Sequence, residues 1–177
     1  PYILMPHSMG GIEALYYAQT HPEEVCGIIG LDMTVPQAGD NIPKVPFADF
    51  LLGAAGFVGL QRLPFFYPIE YVDLTEGEKE QAAYLTYRNA FGLDVRNEIA
   101  LTHKNMELVD AKRLQGLPIL AFVSADEESR REHRAFAEEV DCAIVELDAP
   151  HYIHRSESET IAKLTKGFIE GLFASSG

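Results

Sequence analysis

Four strand-like stretches of this chain are each followed by residues that could take part in nucleophilic catalysis. Ser8 follows the first stretch, and Asp32 follows the second. An acidic group at 126–128 follows the third, and His151 and His154 follow the fourth. A serine hydroxyl becomes a nucleophile when a histidine accepts its proton and a carboxylate orients that histidine. These residue types predict catalysis by Ser8 if the fold brings the ends of the four stretches together.

The same four stretches predict a buried parallel sheet. Residues 2–6, 25–31, 119–123 and 142–147 are short and almost continuously apolar, as strands covered on both faces are. A predicted helix over about 9–20 joins the first two stretches, and such strand–helix–strand units give parallel strands. The carboxyl ends of parallel strands lie at one edge of the sheet, where functional groups gather. The predicted fold class is therefore α/β, a mostly parallel sheet of about four strands flanked by helices.

The first stretch ends in a sharp turn. An apolar strand, Ser8, two glycines and a helical pattern follow one another within a few residues. This order lifts the serine side chain clear of the sheet and leaves the Met9 backbone N–H free to stabilise an oxyanion. Residues 6–12 resemble the G-H-S-M-G-G nucleophile elbow of the α/β-hydrolase superfamily, although Pro6 stands where that family usually has glycine.

A second segment carries the same resemblance. Residues 149–154 resemble the G-H-Y-I-H segment of α/β-hydrolases, in which the first histidine is catalytic. The resemblance implies that His151 is the general base and acid, that His154 packs or caps a helix, and that His7 is structural. The order nucleophile, acid, histidine is also the one that these hydrolases use. Neither a cofactor nor a metal is implied.

The acid has two candidate locations. Family members place it after either the second or the third of these strands, which leaves Asp32 or one of Asp126, Glu127 and Glu128. Asp32 ends a fully apolar strand, where a carboxylate needs a partner such as an imidazole. The acidic group precedes a predicted helix, and the helix dipole already accounts for its charge. Asp32 is favoured, and the other three carboxylates remain alternatives.

The resemblance covers the whole chain but only the C-terminal portion of a full hydrolase. The sequence begins inside a predicted strand and without methionine. We therefore expect earlier strands, and the loop with the second oxyanion donor, to lie upstream. An incomplete sheet exposes a strand edge and an apolar face, so this chain alone is expected either to self-associate or to need the missing half of the fold.

Between the second and third strands the pattern becomes helical. Residues 1–35 and 116–177 are predicted to form the hydrolase core, and residues 36–115 an inserted helical cap. The apolar run at 47–60 is shorter than the about 20 residues that a bilayer crossing needs. Aromatic residues of the cap could line an acyl or alcohol pocket. Capping boxes are predicted in three places, at Thr75 with Glu78, Ser129 with Glu132, and Ser156 with Glu159.

Composition excludes several function classes. The net charge of −13 argues against binding nucleic acid or anionic lipid, and membrane contact is not indicated. Cys26 and Cys142 lie in predicted strands and read as core residues, and no Cys/His spacing is typical of a metal site. His21, His103 and His133 are predicted to lie on the surface. Nothing resembles a signal peptide, which favours a cytoplasmic location.

The function predicted is that of a serine hydrolase. Ser8 attacks the acyl carbon of an ester or related small-molecule substrate, His151 transfers the proton, Asp32 orients His151, and water releases the acyl-enzyme. Two alternatives stay open: a hydrolase-like binding or signalling module without turnover, and acyl transfer or thioesterase-type activity.

Overall fold

The computed structural model describes residues 1–40, 48–63, 74–90 and 92–174. The chain divides into two compact units. The first unit comprises Pro1–Ile42 and Lys104–Gly177, and the second comprises Pro43–His103. All of the sheet and all of the predicted site residues belong to the first unit.

The described residues contain five strands and seven α-helices. The strands are β1 (Tyr2–Leu4), β2 (His7–Ser8), β3 (Val25–Met33), β4 (Ile119–Val123) and β5 (Cys142–Glu146). The helices are α1 (Gly10–Thr20), α2 (Ala48–Val58), α3 (Glu76–Asn89), α4 (Leu93–Glu107), α5 (Glu127–Ala137), α6 (Ile153–Ser156) and α7 (Ser158–Ala174). Short 3₁₀ turns lie at Pro36–Asp40, Leu60–Arg62 and Ala111–Leu114.

The sheet is parallel throughout, with the order β1-β3-β4-β5, and β2 also pairs with β3. The first predicted strand is divided in two because Pro6 has no N–H to donate to a neighbouring strand. The Pro6 carbonyl still accepts from the Leu31 N–H at 2.8 Å, so the chain stays alongside β3. The predicted α/β fold class is confirmed.

Both faces of the sheet are covered. On one face Ile28 and Ile119 pack with Leu15 of α1 and Phe136 of α5. On the other face Ile29, Leu120 and Phe122 pack with residues that include Ile153 and Ile161. Because successive side chains of a strand point to opposite faces, two buried faces require continuously apolar strands. This requirement explains the unbroken apolar runs of β3 and β4, which are buried almost throughout.

The starts of the helices test the capping predictions. Thr75 and Glu78 form the predicted capping box at the start of α3. The prediction at Ser129 is wrong, since α5 starts at Glu127 and is capped by the Asp126 carboxylate, which accepts from the Ser129 N–H. The prediction at Ser156 is also wrong, because that residue ends α6 and α7 begins at Ser158.

The second unit is helical in its described residues. It contains α2, α3 and most of α4, and no residue of α3 is buried; Tyr84, for example, is 64% exposed. The helical spacing of Val95, Ile99, Met106 and Val109 predicts that these side chains point inward; Met106 is buried, but for Ile99 the prediction is wrong, because it is exposed. The aromatic residues at 65–67 and 71 lie outside the described residues. No helix in the described part of the chain has the length and apolarity to cross a membrane. That residues 36–115 form a cap stays a prediction.

Candidate active site

Ser8 lies at the apex of the turn between β2 and α1. Its φ of +54° falls in the left-handed region, which residues other than glycine rarely adopt. The Thr34 N–H donates to the Ser8 carbonyl at 2.7 Å and holds the turn against the end of β3. The close approach of α1 to β3 depends on Gly11, because a Cβ there would overlap the Thr34 carbonyl oxygen and lie 2.8 Å from the Met33 Cβ.

The Asp32 carboxylate is buried at the carboxyl end of β3. Only 5% of the residue is exposed, and its φ is +44°. Oδ1 accepts from the Ser124 backbone N–H at 3.0 Å and from the Ser129 hydroxyl at 3.0 Å. Oδ2 faces the His151 Nδ1 at 2.6 Å. Both carboxylate oxygens therefore have donors, as a buried carboxylate requires.

His151 lies in the loop between β5 and α6, and its ring joins Asp32 to Ser8. An ionised carboxylate only accepts hydrogen bonds, so the His151 Nδ1 carries the proton that Asp32 receives. In the neutral ring, Nε2 is then an acceptor. The Ser8 hydroxyl donates to it at 2.9 Å. The structure thus brings Ser8, His151 and Asp32 into one hydrogen-bonded chain.

The electrostatics of Asp32 favour its charged form. Burial alone would raise the pKa of this carboxyl, but the hydrogen bonds from His151, Ser124 and Ser129 outweigh burial and lower the pKa from 3.8 to about 2. Asp32 is therefore ionised at every pH at which a histidine could act as a base. A charged partner at 2.6 Å fixes the orientation of the His151 ring.

Met9 directly precedes α1, and its side chain makes no cap hydrogen bond. Its backbone N–H therefore lies at the N-terminus of the helix, where backbone N–H groups without helical partners and the helix dipole favour negative charge. This location beside Ser8 suits the predicted role of the Met9 N–H as an oxyanion donor.

Two further histidines adjoin His151. The His7 Nε2–H donates to the His151 carbonyl at 3.2 Å, and the two ring centroids are 4.7 Å apart. Burial, together with the nearby His151 and His154, lowers the pKa of His7 against the raising effect of that hydrogen bond. His154 is half-buried and meets the His7 ring edge-on at 4.9 Å. Among the hydrogen bonds of the described residues, neither His7 nor His154 bonds to the Ser8 hydroxyl.

The alternative acids are engaged elsewhere. Asp126 caps α5. Glu127 and Glu128 are exposed and face Arg130 at 3.4 Å and Arg131 at 3.2 Å, respectively. None of the three has a hydrogen bond to His151 among the described contacts, whereas Asp32 does.

Sequence reasoning did not predict that Ser124, Ser129 and His133 lie close to Asp32. His133, predicted to lie on the surface, is 1% exposed, and its Nδ1–H donates to the Ser129 carbonyl at 2.8 Å. The prediction is wrong because His133 lies on the inner face of α5, one turn after Ser129. The i, i+4 spacing of these two residues was visible in the sequence, but nothing local indicated that this face of α5 meets Asp32.

A cavity of about 580 Å³ opens beside the Asp32–His151 pair. Its lining includes the polar residues Asp32, Thr34, Ser124, Glu132 and His151 together with apolar residues such as Met33 and Ala149. Within the described residues, no group of three His, Cys, Asp or Glu side chains could hold a metal ion.

Solved structures share this arrangement of strands and helices. One is a carboxylesterase of the thaumarchaeon Nitrososphaera gargenis, with 18% sequence identity and a TM-score of 0.64 over 98% of this chain and 66% of that protein. A loop variant of a haloalkane dehalogenase from Bradyrhizobium elkanii has 19% identity and a TM-score of 0.63 over 98% and 68%. The chain has the α/β-hydrolase fold. A thermophilic esterase from Thermogutta terrifontis, at 18% identity, shares this hydrolase fold with a TM-score of 0.57 over 96% and 65%.

Sequence comparison adds one curated relative of this α/β-hydrolase-fold chain. It is the uncharacterized protein YbdG of Bacillus subtilis, 29% identical over 188 residues. The match covers 96% of the chain and 58% of YbdG. The chain thus spans between half and two thirds of the length of this relative. No family model matches the chain.

Proposed function

We propose that this chain carries the catalytic residues of a serine hydrolase that cleaves an ester or related acyl bond. One observation carries the proposal: the Ser8 Oγ lies 2.9 Å from the His151 Nε2, and the His151 Nδ1 lies 2.6 Å from the Asp32 Oδ2. These two contacts are the hydrogen bonds that activate a serine nucleophile: the serine bonds to a base, and a carboxylate orients that base.

The proposed reaction has two halves. In the first, His151 Nε2 takes the Ser8 proton as Oγ attacks the acyl carbon, and the Met9 N–H stabilises the oxyanion. The histidine then gives the proton to the leaving alcohol, and an acyl-serine remains. In the second, His151 takes a proton from water as the water oxygen attacks the acyl carbon, and it returns that proton to the Ser8 Oγ as the bond between Oγ and the acyl carbon breaks and the acid leaves. Asp32 stays ionised throughout and stabilises the charged ring.

The chemistry of serine favours acyl substrates over alkyl halides. A serine that displaced a halide would form an ether, which water does not cleave under mild conditions. An acyl-serine is an ester, which the same histidine and water can hydrolyse. The solved carboxylesterase and esterase of the same fold support this choice of substrate class.

A fluorophosphonate probe tests the nucleophile. It forms a stable bond with an activated serine, so we expect one labelled peptide, the one that contains Ser8, by mass spectrometry. Ser8→Ala should abolish labelling, whereas Ser158→Ala, an exposed serine at the start of α7, should leave it unchanged. A folded protein that shows no labelling would contradict the proposal and favour a binding module without turnover.

The acyl acceptor is tested separately. With a p-nitrophenyl ester and an added alcohol or thiol, hydrolysis yields free acid, while transfer yields a new ester or thioester. Free acid as the main product supports hydrolysis. Predominant transfer at low acceptor concentration would replace hydrolase by acyltransferase and leave the roles of Ser8 and His151 in place.

A further inference from the structure

Two consecutive residues in the first turn of α5, Ser129 and Arg130, bond to Asp32 and to the two loops beside the Asp32–His151 pair. The Ser129 hydroxyl donates to the Asp32 Oδ1 at 3.0 Å. The backbone N–H of Ser129 donates to the Asp126 carboxylate at 2.8 Å, which fixes the residue at the start of the helix. Because the hydroxyl and the N–H are both bonded, Ser129 presents its oxygen to Asp32 in one orientation.

Arg130 spans two loops at the carboxyl edge of the sheet. Its Nε donates to the Ser124 carbonyl at 3.0 Å, and its Nη2 donates to the Leu147 carbonyl at 3.1 Å. Only 18% of the side chain is exposed, and Glu146 and Glu127 lie within 3.6 Å of the guanidinium. The planar guanidinium holds two acceptors at a set separation, which a flexible ammonium group cannot do.

Both carbonyls belong to segments that hold the pair. Ser124 donates its own N–H to the Asp32 Oδ1. Leu147 directly follows β5, and from it the chain runs into the loop that carries His151. The same two segments are tied by the Leu147 N–H to the Val123 carbonyl and by the Ala125 N–H to the Ala149 carbonyl, each at 2.8 Å. Arg130 therefore bridges the segment that holds the carboxylate and the segment that carries the imidazole.

We propose that Ser129 and Arg130 are positioning residues for the Asp32–His151 contact. Ser129 sets the rotation of the carboxylate, so that Oδ2 faces the ring. Arg130 sets the separation of the two segments. Neither residue touches the reacting atoms. The inference rests on the proposed function, in which that contact orients the general base.

The Ser129 test removes one hydroxyl and little else. We expect Ser129→Ala to lower kcat about ten- to a hundredfold, since a hydrogen bond to a charged group is lost, with KM almost unchanged. Ser129→Thr, which keeps the hydroxyl, should recover most of the rate. In an Asp32→Asn background, Ser129→Ala should have almost no further effect on kcat, because the hydroxyl would still bond to the asparagine oxygen but no carboxylate would be left for it to orient towards His151. A full additional loss in that background would overturn the positioning role.

The Arg130 test has a matched neighbour. Arg130→Lys keeps the charge but loses the two-carbonyl contact, and we expect a fall in kcat of about tenfold or more. Arg131→Lys changes an adjacent, largely exposed side chain that pairs with Glu128, and should leave kcat within about twofold of the parent. Equal effects of the two substitutions, in proteins with equal thermal stability, would overturn the role of Arg130.

Proton NMR separates this inference from the proposed function. The Nδ1–H proton of His151 should resonate at low field because of its short bond to Asp32, and Ser129→Ala and Arg130→Lys should shift or broaden that signal. This readout needs no turnover. A protein that fails to react with the fluorophosphonate but shows these NMR changes refutes the function and keeps the positioning. A reactive protein whose signal is unchanged in both variants refutes the positioning alone.

Discussion

Replacing Asp32 with asparagine changes one atom of the carboxyl group and should remove almost all activity. The carbonyl oxygen of the asparagine side chain can still accept from the Ser124 N–H and the Ser129 hydroxyl, which hold Oδ1 at 3.0 Å in the parent. The amide NH₂ group then faces the His151 Nδ1, which must become an acceptor. The ring proton moves to Nε2, and that nitrogen can no longer take the proton of Ser8.

The magnitude follows from this tautomer change and from the charge. An asparagine at the same place in a serine protease triad lowers kcat about ten-thousand-fold, and we expect a loss of that order here, with KM little affected. The lowering of the Asp32 pKa from 3.8 to about 2 corresponds to roughly 2–3 kcal/mol in favour of the folded, ionised state. Asp32→Asn should therefore also reduce the free energy of unfolding at neutral pH, by less than that amount, because the asparagine oxygen keeps the bonds from Ser124 and Ser129.

The stability effect has a defined pH dependence. Because the folded pKa lies below the unfolded value, the contribution of Asp32 is complete above about pH 4 and is lost as the pH falls towards 2. The difference in unfolding free energy between parent and variant should narrow over that interval. Urea unfolding at a series of pH values measures it, and steady-state hydrolysis of p-nitrophenyl acetate measures kcat and KM.

Two carboxylates serve as controls. Asp148→Asn changes an exposed residue of the loop that carries His151, and should leave kcat within about twofold. Asp126→Asn keeps a good N-cap and should also retain activity. If Asp32→Asn kept more than about a tenth of the parent kcat, or if Asp126→Asn abolished activity in a folded protein, the assignment of the acid would be refuted.

Three further outcomes are expected, each measurable by urea unfolding. Gly11→Ala should lower the free energy of unfolding by about 1–3 kcal/mol, because the new Cβ would overlap the backbone of Thr34. Gly10→Ala should be neutral or slightly stabilising, because the nearest neighbour of its new Cβ would be 3.9 Å away. Equal effects of the two substitutions would contradict the packing argument. Ser8→Gly should be more stable than Ser8→Ala by about 1 kcal/mol, since φ at this residue is +54°, and a reversed order would contradict the strain. Burial lowers the pKa of His133, so the unfolded chain binds more protons than the folded one, and the free energy of unfolding should fall as the pH decreases from about 7.5 through 6.5. His133→Phe should make the free energy of unfolding less dependent on pH in this range. An unchanged pH dependence would contradict the role of His133.

The strands and the turn at Ser8 could be predicted because their causes are local. A strand buried on both faces has to be apolar at every residue, and β4 at Ile119–Val123 has the predicted bounds. The capping box of α3 is equally local, because Thr75 and Glu78 are three residues apart. The interruption at Pro6 and the extension of β3 through Asp32 to Met33 depend on pairing with a neighbouring strand, and both were missed.

Ser129 shows where local reasoning ends. Its spacing to Glu132 is that of a capping box, yet the cap is Asp126 and the Ser129 hydroxyl bonds to Asp32. A pattern within one helix cannot reveal a partner 97 residues away. The misplacement of His133 on the surface has the same cause, since burial depends on what packs against the helix face.

By itself, the sequence determined the order of the elements and the set of candidate groups: a serine in a tight strand-to-helix turn, carboxylates at two strand ends, and a histidine after the last strand. It left the acid open between Asp32 and the group at 126–128. Only the tertiary structure decided which carboxylate meets His151, because that contact joins residues 119 apart and depends on the register of β3, β4 and β5. Local propensity acts over a few residues, whereas the orientation of a base at 2.6 Å from its partner is set by the packing of distant strands.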